Sequence, residues 1–110
     1  TRSSRVLVDE APPAEELDRI EDVIAAQRAD TPEIVGYHKL RARRAGARYY
    51  VDLHLQFRRG TSLEQAHATA HAVRGAIEAE IPQSDVLIHT EPEGSFRPPE
   101  EEGRGPYRAG

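Results

Sequence analysis

Tyr50-Val51-Asp52-Leu53-His54-Leu55-Gln56-Phe57 is the stretch on which the fold turns. Val51, Leu53, Leu55 and Phe57 alternate with Tyr50, Asp52, His54 and Gln56. A period of two is that of a strand with one face packed and the other wet or functional. The spacing predicts a strand over Arg48 to Phe57. Upstream, Ala45-Gly46 supplies a turn, and Ile34 to Arg44 reads as a strand paired to it. Asp30-Thr31-Pro32 marks the end of a helix reaching back to about Ala14. Leu17, Ile20, Val23 and Ile24 follow the helical period there, and Glu15, Glu16 and Asp18 suit its N-terminus. Downstream, Arg58-Arg59-Gly60-Thr61 turns the chain. Ser62 then caps a second helix, with Gln65 as capping-box partner. The apolar stripe of that helix is Leu63, Ala66, Ala70, Val73 and Ile77, ending near Ile81-Pro82. A third strand follows over about Asp85 to Glu91, stopped by Pro92.

The order is α-β-β-α-β. Two helices cover only one face of a three-stranded sheet, so the fold class is α+β, an open-faced sandwich of ferredoxin-like type with one sheet face left for a partner. Residues 1–13 end in Ala11-Pro12-Pro13 and read as a connector, 14–92 as the folded domain, and 93–110, rich in Gly, Pro and Glu, as a disordered tail. No internal repeat is visible.

The chain has 110 residues, 37% hydrophobic and 31% charged, which fits one domain with a thin core. A net charge of -4 gives no overall pull toward nucleic acid or membrane. No run of about 18 apolar residues spans a bilayer, and the start carries no signal-peptide pattern. The first residue, Thr1, is not Met, a start that an excised piece of a longer protein, processing or cloning would each give.

With no cysteine, disulfides and thiolate metal sites are excluded, so a metal site here uses His, Asp or Glu. There are five histidines. His67 and His71, at i and i+4, share one side of the second helix at a spacing that suits a metal. His54 lies on the non-core face of the second strand. The parity of Val86 and Ile88 leaves His89 and Glu91 on that same face. For His38, strand parity puts it with Ile34 and Leu40, while Gly36 offers a bend that frees it. Taken singly, each histidine reads more readily as a solvated or hydrogen-bonded polar residue than as a ligand. Taken together, with acids at Asp52, Asp85 and Glu91, they suit zinc and its first-row neighbours.

Four ordered motifs carry a family resemblance. Gly36-Tyr37-His38-Lys39-Leu40-Arg41-Ala42-Arg43-Arg44-Ala45-Gly46 looks like the G-x-H-x-L-R-x-R-x-x-G opening of the C-terminal cytoplasmic domain of cation diffusion facilitator transporters. Val51-Asp52-Leu53-His54-Leu55 is similar to the family's second strand. Ser62-Leu63-Glu64-Gln65-Ala66-His67 resembles its S-L-x-x-A-H helix start, and Asp85 to Pro92 its D-V-x-I-H-x-[DE]-P ending. Leu7 to Pro13 resembles the connector after the last membrane helix, so the match runs over about 6–92.

The resemblance implies a regulatory domain on the cytoplasmic side of the cell membrane, part of a proton-coupled divalent-cation exporter. It implies a V-shaped homodimer, with Zn2+ bound near the interface, joined to a transmembrane domain that holds the transport site. The implied ligands are His38, His54, His67, His89 and Glu91. Many relatives carry Asp where this chain has Glu91, which is one methylene longer. His71 falls outside the pattern, as an extra ligand or a surface residue. Iron, manganese, cobalt, nickel and cadmium have similar requirements within the family.

Other readings compete. A free-standing metal-binding or metallochaperone-like domain fits the same residues. Arg41, Arg43, Arg44, Arg48, Arg58 and Arg59, beside Tyr49 and Tyr50, suggest an RNA-binding sheet, but the negative net charge and the lack of strand aromatics at the centre oppose nucleic acid. His54, Asp52 and Glu91 suggest acid–base chemistry, but no nucleophile elbow, phosphate loop or catalytic signature accompanies them, so no enzyme is expected.

Overall fold

A computed structural model describes residues 14–94. The connector expected over 1–13 lies outside the described residues, as does the tail expected over 93–110 except for its first two residues, Glu93 and Gly94, which form a turn after the last strand. The elements are helix α1 (Ala14–Asp30), strands β1 (Ile34–Ala45) and β2 (Arg48–Phe57), helix α2 (Leu63–Glu80) and strand β3 (Ser84–Pro92). The order is the one the alternation and helical periods predict, with boundaries shifted by a residue or two.

Three strands form one sheet in the order β1-β2-β3. β1 and β2 are antiparallel, joined through Gly46-Ala47, where Gly46 takes a φ of 64° open to glycine at little cost. β3 runs parallel to β2, which requires the crossover that α2 provides. Both helices lie on one face. Ile20 and Ile24 of α1 and Ala66, Val73 and Ile77 of α2 pack on Ile34, Val51, Leu53, Leu55, Phe57 and Val86 of the sheet. An Arg19–Glu80 ion pair at 3.0 Å ties the two helices together on the outside.

The start of α2 departs from the sequence reading in two details. Ser62 Oγ accepts from Gln65 N at 3.0 Å, as an N-cap should. The Gln65 side chain does not return the bond to Ser62. It donates instead to Glu33 Oε2 at 3.1 Å, linking α2 to the chain just before β1. Leu63, assigned to the apolar stripe, is 82% exposed, whereas Ala66, three residues on, is buried in the core, so the packed part of the stripe begins after Leu63. Beyond β3, Glu93 N donates to Phe57 O at 2.7 Å, and Glu93 Oε2 accepts from Arg59 N.

Candidate metal centre

The face of the sheet opposite the helices carries three histidines on one rung. β2 places His54 there by unbroken alternation, since Val51, Leu53, Leu55 and Phe57 all point into the core. β3 pairs His89 with His54 in parallel register, and their rings stack with centroids 4.6 Å apart. β1 pairs His38 with His54 from the other side, with ring centroids 5.1 Å apart.

His38 arrives there by a device that simple parity does not anticipate. Counting by twos from Ile34 in the core puts 36, 38, 40 and 42 on the core side. The pairing of β1 with β2 slips twice, however, once between Ile34 and Gly36 and again between His38 and Arg41. Each slip adds one residue to β1 relative to β2, a β-bulge. A one-residue slip exchanges the two faces of a strand. Between the slips Tyr37 therefore packs toward the core, while Gly36 and His38 face outward. Beyond the second slip Ala42 is again on the core side and Arg41 is outward, opposite Asp52. The bend expected beside Gly36 exists, but Gly36 does not occupy a left-handed conformation; Lys39 does, with φ 58°.

Glu91, two residues beyond His89, completes the cluster. Its side chain reaches across β2, with Oε2 against His38 Nε2 and Oε1 3.4 Å from His54 Nδ1. Burial raises the Glu91 pKa. The hydrogen bond and charge of His38, then those of His54, more than offset this, and the carboxyl titrates below its ordinary value. Donor atoms of His38, His54 and Glu91 all lie within 4.8 Å of one another. On a tetrahedral Zn2+ with bonds of about 2.0–2.2 Å, ligand atoms stand roughly 3.3–3.6 Å apart, so small side-chain rotations close this set on an ion. Two imidazoles and one carboxylate, drawn from three strands and largely screened from solvent, are a donor set that fits the metal.

The remaining candidates are dispersed. His89 is exposed and joins the rung by stacking rather than through the Glu91 carboxylate. His67 and His71 are exposed on α2, with their ring centroids 6.2 Å apart. They line a shallow groove of about 210 Å³ with Leu63, Arg74, Leu87 and Thr90, apart from the three-residue cluster. Asp52 and Asp85, counted among the acids, are engaged by Arg41 at 3.3 Å and Arg48 at 2.8 Å. Both line a hollow of about 540 Å³ at the other end of the open face, with Arg43 lying over the Tyr50 ring. What sequence reasoning missed was the second bulge. The one signal for it was Lys39, a polar residue that makes the alternation between His38 and Arg41 one residue too long.

Among the described residues, no helix is long and apolar enough to cross a membrane. The sequence pattern of a family described as cation efflux protein, cytoplasmic domain, matches residues 12–93. The chain is 40% identical over 86 residues to the cation-efflux pump FieF of Cronobacter sakazakii, and 38% identical to FieF of Escherichia coli O127:H6. Each alignment covers 78% of this chain and 27% of the relative, so the chain spans about a quarter of the pumps it matches. Among solved structures, CzrB in its Zn form is similar at a TM-score of 0.71 and 32% identity, covering 83% of this chain and 100% of that one. The metal-bound C-terminal domain of the CzcD transporter from Thermotoga maritima is similar at 0.64 and 28%, covering 78% and 100%.

Proposed function

This chain belongs to the cation efflux protein family as its cytoplasmic domain, and on that premise we propose that it binds a divalent transition metal, Zn2+ foremost, through His38, His54 and Glu91, and that the bound metal holds two copies together to regulate an exporter. The observation that carries this is the convergence of those three donors on the open sheet face. The likeness to CzrB in its Zn form and to the metal-bound CzcD domain supports the metal. Three protein ligands leave a zinc ion one position short of four. His89 stands beside the cluster for a second ion or an outer contact. His67, remote from the cluster within one chain, is assigned to the open position from a second copy, which makes the metal an interface ligand.

The regulatory step follows from linkage. A metal that binds the assembled dimer better than the separate or splayed copies shifts the population toward the assembled form by its difference in affinity. In the cytosol this lets the concentration of the cation set the shape of the domain, and through it the membrane part of the pump. The role is that of a binding domain, with no chemical step.

Calorimetric titration with Zn2+, Mn2+, Co2+ and Ni2+, run beside light scattering, tests this. The expected result is saturable Zn2+ binding with a metal-dependent rise in dimer, abolished by His54→Ala and Glu91→Ala. Unchanged binding in both variants would end the ligand assignment. Binding without any change of mass or shape would end the regulatory reading and leave the site.

A further inference from the structure

We propose that Lys39 is a positioning residue for the metal site, its left-handed backbone closing the second bulge of β1 so that His38 faces the open side of the sheet. The inference rests on the metal reading above and extends it to a residue outside the His38–His54–Glu91 donor set.

The two slips in register form a pair. Between Ile34 and Gly36 the strand gains its first extra residue, and between His38 and Arg41 its second, where Lys39 and Leu40 together oppose Leu53. Only the short block from Gly36 to His38 is phase-shifted. On either side, Ile34 and Ala42 keep the ordinary parity, with even positions toward the core. A bulge-free β1 anchored at the Gly46 turn would carry that parity through, and His38 would point at the helices instead of at Glu91. The chain avoids this by placing Lys39 at φ 58°. An extra residue in the left-handed region is the geometry of a bulge usually given to glycine. Among the described residues Lys39 is the one non-glycine with positive φ. Strain of this sort persists where the surroundings over-determine it. Here the surroundings are the core contacts of Tyr37 and Leu40 on either side, which fix the flanking residues while His38 is held on the opposite face.

The test separates backbone from charge. Lys39→Asn and Lys39→Val remove the same positive charge, but Asn tolerates the left-handed region and a β-branched residue does not. The expected result is Zn2+ affinity within about threefold of wild type for Lys39→Asn and Lys39→Gly, and at least about tenfold weaker for Lys39→Val, the scale on which misplacing a ligand weakens a site. In the metal-free protein, nuclear Overhauser contacts between the His38 and His54 rings should persist in Lys39→Asn and vanish in Lys39→Val. Deleting Lys39 offers a second variant. It removes the extra residue and leaves 38, 40, 41 and 42 in unbroken alternation with His38 still outward, so it should bind. Wild-type affinity and ring contacts in Lys39→Val would overturn the proposal, as would equal loss in Lys39→Asn and Lys39→Val, or lost binding in a folded deletion variant. If the wild type takes up no zinc, the metal reading fails, and the ring contacts still decide the positioning role.

Discussion

β1 and β2 pair side by side along most of their length, yet they are built on different rules. β2 alternates without a fault from Arg48 to Phe57, and its four core residues are at most 3% exposed. β1 alternates only in blocks, with an extra residue before Gly36 and another after His38. β2 is the ruler of the domain. It sits centrally, pairs on both edges, and fixes the rung on which all three sheet histidines meet. β1 is the adjustable element, with packing partly given up to present one side chain. A site drawing one ligand from each strand therefore depends on two kinds of sequence information, an uninterrupted pattern and a deliberately broken one.

The largest effect that tests this contrast is on stability. Leu53 and Leu55 are fully buried in β2, and truncating either to Ala should cost about 2–5 kcal/mol in denaturant unfolding, the transfer loss plus a cavity beneath both helices. Leu40, half-buried beside the second bulge, should cost less than about 2 kcal/mol on the same change. Equal losses would mean that the bulged part of β1 packs as firmly as the central strand, and the distinction would fall.

The same contrast explains what was legible in the sequence. The order of elements, the open face and the placement of His54, His89 and Glu91 on it follow from periodicity, because β2 and β3 obey it. His38 was ambiguous for a physical reason: parity counted from Ile34 and parity counted back from Ala42 agree with each other and are both wrong for the block between the bulges. Backbone φ is not written in a Lys side chain, so nothing in the sequence marks Lys39 as left-handed. The exposure of Leu63 escaped because helical period places a residue on a stripe without saying where the core beneath it ends. The separation of His67 from the cluster was hidden likewise, since helix spacing gives the direction of a side chain relative to its own axis and not its distance from a strand on the far side of the sheet.

An intermediate effect concerns the ligands themselves. With free Zn2+ at a hundred times Kd, binding stabilises the fold by about 2.7 kcal/mol; a site tenfold weaker at the same concentration retains about 1.4 kcal/mol. His54→Ala from the regular strand and His38→Ala from the bulged one should each lose at least that difference in zinc-dependent stabilisation, read as the rise in Tm on adding metal. Glu91, which contacts both, should lose as much when changed to Gln. A full zinc response in His38→Ala would make β1 dispensable and reduce its double bulge to a packing irregularity.

The smallest effect separates the two bulges from each other. Gly36 sits next to the first one, opposite Gln56, and its backbone is not left-handed. A Cβ built there meets only Gln56 Oε1, at 3.8 Å, an ordinary contact. Gly36→Ala should therefore change stability by less than about 0.5 kcal/mol, with any gain coming from a less flexible unfolded chain. Zinc affinity should be unchanged, because His38 keeps its face. A loss of binding without a loss of fold would shift the positioning role from Lys39 to the first bulge. Neutrality would leave the second bulge, the one held by a strained residue, as the point where β1 departs from the rule that β2 obeys.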